Sequence, residues 1–160
     1  MTVIHLQRLG GVELDQGLLN QAIAFFTAGS RAIADVRVTP TVTLSPMAPA
    51  VVCYAFSAEL YLKLLHVIAT GQPKRGHKLD ELFQSLPEDT RSELASNYTG
   101  DLGTELTAMS QAFVEWRYEH EHEQLSINPQ ALANVGVACH RVVRRLKPDL
   151  KVFGENRTAG

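Results

Sequence analysis

No pair of cysteines stands at CxxC spacing in this 160-residue chain, and its two cysteines, Cys53 and Cys139, lie far apart in apolar surroundings. That excludes a cysteine-built zinc site and points to two buried reduced thiols rather than a disulfide. The phosphate loop GxxxxGK followed by Ser or Thr is absent, and so is the dinucleotide fingerprint GxGxxG. Neither a GxSxG nucleophile elbow nor an HExxH zinc motif occurs. Charge of either sign is not in excess: 15 basic and 17 acidic side chains leave a formal charge of -2. No global cationic field therefore recruits nucleic acid or anionic lipid. The opening MTVIHLQRLGGVEL has no basic n-region and no long apolar run, so no secretory signal is expected. The longest apolar stretch, residues 47–69, is interrupted by Glu59 and Lys63, which argues against a membrane span. A cytoplasmic chain with no membrane partner is the expectation.

What is present is a series of helix-length segments punctuated by Pro and Gly. Apolar residues make up 45% and charged residues 20%, an ordinary globular composition, and the length suits one domain. A first helix is predicted over residues 12–36, through Leu14, Leu18, Ala22, Phe25 and Phe26. Three prolines make residues 39–49 a loop, in which residues 41–44 have strand character but no evident partner strand. A second helix is predicted over residues 48–70, stopped by Gly71. It is apolar on nearly every side and so belongs at the centre of a bundle. Glu59, Lys63 and His66 form one polar stripe along it at i, i+4, i+7.

The loop GQPKRGHK follows, then a short helix through Leu79, Leu82, Phe83 and Leu86. Ser85 and Glu88 have capping-box spacing for a fourth helix, with Pro87 in its first turn, and Gly100 ends it. Asp101 or Thr104 caps a fifth helix predicted to reach Glu123, and Asn128-Pro129 opens the last one. The expected fold is all-α, an up-and-down bundle of four or five main helices in a single domain 1–160. Its core spans about residues 12–147, with 148–160 as a frayed tail.

The densest titratable cluster is Glu115, Arg117, Glu119, His120, Glu121, His122 and Glu123. Three functions compete for it. Glu115, Glu119 and His122 share a helical face and would hold a metal only with help from Glu59 or His66. Arg117 and His122 have R-x4-H spacing, which suits metal-free phosphodiester cleavage, the arginine steadying charge and the histidine moving a proton. Five residues turn a regular helix by about 140°, however, so the two do not face each other within one chain. The third reading is an ion network in which Arg117 pairs with Glu59, and Lys63 with Glu119 or with Glu59 itself. In the loop, Lys74, Arg75, His77 and Lys78 either bind a phosphate or form a solvated loop with His77 capping the next helix.

The ordered set of an E-x3-K helix (Glu59, Lys63), a G-H-x-L-x-x-L turn (residues 76–82) and an R-Y-x-x-E helix (Arg117, Tyr118, Glu121) resembles the HEPN family, the higher eukaryotes and prokaryotes nucleotide-binding domain, over residues 48–145. The resemblance implies a four- or five-helix bundle that pairs as a homodimer. It also implies a nucleotide- or RNA-associated role, as in toxin–antitoxin, defence or stress systems, with RNA, a nucleotide or a cognate protein as partner. Many members are metal-independent endoribonucleases with an R-x4-6-H motif shared across the dimer, which would make Arg117 and His122 catalytic. Active members usually carry a small polar residue after the arginine, where this chain has Tyr118. The form F-x-x-W-R-Y-x-x-E instead looks like branches in which the arginine is a scaffold residue. The expectation is thus a polar centre of Glu59, Lys63, His77, Tyr118 and Glu119 around Arg117, with no cofactor and no metal. A non-catalytic role leads, and an endoribonuclease or a bare partner-binding bundle are the alternatives.

Overall fold

Helices form where the apolar periodicity places them in the computed structural model, which describes residues 11–34, 36–44, 47–115 and 128–152. Four are long: α1 (Gly11–Ala32), α2 (Met47–Thr70), α5 (Leu102–Glu115) and α6 (Pro129–Leu146). Two short ones, α3 (Leu79–Gln84) and α4 (Glu88–Ser96), join α2 to α5. The sequence expectation of an all-α bundle holds, with one small addition.

That addition is a β-hairpin between α1 and α2. β1 (Val36–Thr39) pairs antiparallel with β2 (Val42–Leu44), matching Val36 to Leu44 and Thr39 to Val42. The strand expected to lack a partner therefore has one, which starts at Val36, the last residue of the predicted first helix, and runs to Thr39 at the start of the predicted loop. The reason is local. Val36, Val38 and Thr39 are β-branched, and Pro40-Thr41 supplies the turn that folds them back onto Val42 and Thr43.

α2 is the central rod. Ala50, Val51, Ala55, Ala58, Leu62, Leu64 and Leu65 are fully buried, covering most of its circumference. α1 and α6 are its main packing partners, and α3 and α5 cover it further along. α2 is long and apolar enough to cross a bilayer, but 67% of its most apolar window is buried by the other helices. Burial in the bundle accounts for its composition. Polar ties fix its register against α1: the Ser57 hydroxyl donates to the Ala22 carbonyl at 2.7 Å, and the Tyr54 hydroxyl to Ser30 Oγ at 3.2 Å. Cys139 is buried and Cys53 half-buried, both as free thiols.

Helix ends follow capping chemistry in most places. Gly71 at φ +70° and Gly100 at φ +116° take the left-handed backbone that closes α2 and the turn before α5. Asp101 Oδ1 accepts from the Thr104 N–H at 3.1 Å, and Asn128 Oδ1 from the Gln130 N–H at 3.0 Å. The capping box expected at Ser85 does not form. Pro87 occupies the N-cap of α4, and the Ser85 hydroxyl turns back to the Leu82 carbonyl at 2.7 Å. The tail is also less free than expected as far as it is described. Gln16 Nε2 donates to the Lys151 carbonyl at 2.6 Å, the Lys151 N–H donates to Gln16 Oε1 at 2.9 Å, and Leu150 is buried.

Two glycines permit close helix approach, with unequal consequences. A Cβ on Gly29 would stand 2.9 Å from Cδ1 of the buried Tyr54 ring, and one on Gly136 would stand 3.0 Å from the half-buried Phe26 ring. Gly29→Ala is expected to destabilise the fold by about 1–3 kcal/mol, because Tyr54 has little room to move. Gly136→Ala is expected to stay within about 1 kcal/mol of wild type, since Phe26 can shift outward and Ala favours the helix. Urea unfolding of both variants checks this, and equal losses would show that the Tyr54 contact is not the tighter one.

Candidate functional site

The stripe read on the central helix is built around Glu59, which is 1% exposed. A carboxylate so deep in an apolar rod needs partners, because a buried unpaired charge is costly. Lys63, one turn later, donates from Nζ to Glu59 Oε1 at 2.7 Å. His77 reaches the same oxygen from the loop after α2, with Nδ1 at 3.0 Å. The carboxylate only accepts, so Nδ1 carries the hydrogen. His77 comes from far along the sequence because Gly71 turns the chain back at the end of α2 and Gly76, at φ +112°, turns it again just before the histidine.

The three groups differ in exposure. The Glu59 side chain is 2% exposed, Lys63 is 18% exposed and His77 is 74% exposed. The cluster thus runs from the bundle interior to the surface through an imidazole anchored at one nitrogen. Around that imidazole the loop carries Lys74, Arg75 and Lys78, all exposed. Lys78 also meets Glu81 at 2.8 Å on the surface, a pairing that adds little stability.

Among the described residues, only one of the two Glu59 oxygens is engaged. Oε2 is buried and has no hydrogen-bond partner among the described residues. Asp80 Oδ1, at the start of α3, is buried and unpartnered among them in the same way. The Asp80 backbone N–H donates to Ser110 Oγ on α5 at 2.9 Å, which ties this turn to the helix that leads toward Arg117. Sequence reading passed over Asp80. Its only signal was its place inside the G-H-x-L-x-x-L turn.

Other predicted residues stand as follows. Glu59, Lys63 and His77 come together, with Lys63 on Glu59, while Glu119, the other partner foreseen for Lys63, lies outside the described residues. His77 does not cap α3: Lys78 is the N-cap residue and makes no side-chain cap bond, because the imidazole is drawn to Glu59 instead. His66 leaves the stripe for the end of α2, its Nδ1 lying 2.9 Å from the Gln72 carbonyl and 3.2 Å from the Thr70 hydroxyl. Arg117, Tyr118, Glu119, His120, Glu121, His122 and Glu123 lie outside the described residues, so the expectations placed on them rest on the sequence. Among the described residues, no group of three or more His, Cys, Asp and Glu side chains converges as a metal site.

Chemically, the cluster presents a fixed anion at the core, two cationic or proton-bearing groups on one of its oxygens, and a second oxygen able to receive a further cation. Such an arrangement suits a guanidinium, whose fork engages carboxylate oxygens in pairs. Its surface end suits an anionic ligand.

No curated protein and no solved structure matches this chain. The model of the HEPN domain matches residues 47–146, from the first residue of α2 to the last of α6. That span holds Glu59, Lys63, His77 and Asp80 and covers more than half of the sequence, so the chain belongs to the HEPN domain family.

Proposed function

We propose that this chain works as a homodimeric, RNA- or nucleotide-associated bundle in which Arg117 is a scaffold cation rather than a catalytic one. As an HEPN chain it is a helical protein of a nucleotide- and RNA-associated family. The observation that carries the rest is the Glu59 carboxylate, buried, with Lys63 and His77 on one oxygen and the other oxygen open to a cation. We assign Arg117 to that oxygen. Tyr118 and Glu119 flank it in the polar centre. His77 and the exposed Lys74 and Arg75 form the surface to which phosphate groups are drawn, as clustered cations attract a polyanion. A defence, stress or toxin–antitoxin setting, with a cognate protein partner, agrees with such a role, as does a cytoplasmic location.

The R-x4-H spacing of Arg117 and His122 favours a second reading, a metal-independent endoribonuclease. One experiment separates the two. The purified chain, with mass checked by light scattering for the expected dimer, is incubated with labelled single-stranded RNA and a chelator beside Arg117→Ala, His122→Ala and a Lys74→Glu/Arg75→Glu double variant. The expected result is intact RNA throughout, bound by wild type and bound about tenfold more weakly by the double variant at fixed salt. RNA loss in wild type that both Arg117→Ala and His122→Ala abolish would establish the enzyme instead. Equal loss in all samples marks a contaminating nuclease and removes the enzyme reading. Unchanged RNA affinity in the double variant overturns the assignment of the loop.

A further inference from the structure

A cavity of about 360 Å³ opens between α1, α2 and α6, and none of Glu59, Lys63 and His77 lines it. Its surface is mostly apolar, with Ile23 and Phe26 of α1 and Val137 of α6 among the lining residues. This size and character match sites that enclose small organic molecules. Two polar features interrupt the apolar wall. The Tyr61 hydroxyl, on α2, lies 2.9 Å from His140 Nδ1, on α6. Tyr61 is 2% exposed, and burial holds its phenol well above the ordinary value, so that group stays neutral across the physiological range.

The second feature is Arg141. α6 carries three arginines near its end, and two of them are engaged: Arg145 forks onto both Glu93 oxygens, and Arg144 donates to the Leu150 carbonyl. Arg141 lines the cavity, is exposed, and has no hydrogen-bond or ion-pair partner among the described residues. A guanidinium without a partner among the described residues, beside an apolar hollow, is a receptor for one negative charge attached to an apolar body. Its planar fork matches a carboxylate. Val137, at 37% exposed, is one of the few large apolar side chains left open to solvent among the described residues, and it sits one turn before Arg141 on the same face.

We propose that this cavity binds a small aromatic monocarboxylate, its rings against Phe26, Ile23 and Val137 and its carboxylate on Arg141. The site is separate from the Glu59 centre and does not depend on the RNA-associated reading. Titration of the full chain with indole-3-acetate, followed through the methyl signals of Ile23 and Val137, tests it. Tryptophol and tryptamine serve as neutral and cationic counterparts. Indole-3-acetate is expected to shift those methyls in a saturable way and to bind at least about tenfold more tightly than tryptophol, the worth of a charge-assisted pair. Arg141→Gln should remove that preference while leaving tryptophol binding unchanged. Val137→Trp, a change at the rim that the exposed position accommodates, should abolish binding of both. Absence of saturable shifts at millimolar ligand, tryptamine binding as tight as the acid, or undiminished acid affinity in Arg141→Gln would each overturn the proposal.

Discussion

Replacing Lys63 by Met is expected to destabilise the fold by about 2–3 kcal/mol, a lowering of the thermal midpoint by roughly 5–10 °C for a domain of this size. Methionine keeps the length and apolar stem of lysine, so packing along α2 is conserved. What is lost is the ammonium 2.7 Å from Glu59 Oε1, leaving a 1%-exposed carboxylate with His77 as its remaining partner on that oxygen. Lys63 is partly solvent-exposed, which places the figure below the upper range for fully buried pairs. A double-mutant cycle isolates the cause. In a Glu59→Gln background the charge is gone, and Lys63→Met should cost less than about 1 kcal/mol. If the lysine substitution is equally damaging with and without the Glu59 charge, packing of its stem rather than pairing explains its place in the helix. Protein concentration must be held constant through the series, because dimerisation would make the midpoint depend on it.

Arg117→Ala is expected to be at least as damaging, by about 3 kcal/mol, whereas His122→Ala should stay within about 1 kcal/mol of wild type. The asymmetry follows from the proposed pairing. Removing the guanidinium would strand the Glu59 oxygen that no described residue satisfies. The same Glu59→Gln background supplies the specific check: the cost of Arg117→Ala should fall there by about half or more, because an amide leaves no charge to strand. Equal midpoints for Arg117→Ala and His122→Ala would refute the scaffold role. So would an Arg117→Ala cost that ignores the residue at position 59.

These two outcomes bear on how a family of helical bundles separates binding from cleavage. A catalytic arginine must be free to meet a phosphate, while a scaffold arginine is held by a carboxylate. The Glu59 carboxylate, with one oxygen already occupied, is placed to hold a second cation. Burial makes such a pair costly to open, so an arginine held there serves the fold before it serves a substrate.

Much of this was legible in the residues. An all-round apolar segment of helix length leaves only the middle of a bundle as a place to stand, and α2 stands there. A charged i, i+4 pair on such a segment demands mutual satisfaction, and Glu59 and Lys63 provide it. Local chemistry of this kind depends on helical repeat and on the cost of burying charge, both properties of short stretches of chain. Half of the hairpin at residues 36–44 was legible, as strand character at 41–44, but its partner β1 was not, because four residues are too short for a pattern and only the pairing itself identifies them as a strand.

Other features belonged to the tertiary structure alone. That His77 serves Glu59 rather than the start of α3 follows from two glycine turns that return the loop to the central rod. Tyr61 and His140 are 79 residues apart in sequence, and no periodicity links them. Arg141 looks no different from Arg144 and Arg145 along α6 until Glu93 and the Leu150 carbonyl engage the other two. Sequence by itself determined which helices form and which polar groups must find partners, because those are costs borne locally. Which partners they find, and which cation is left over at the cavity, was decided by how the helices pack, because distance in space is set by the whole bundle and not by any segment of it.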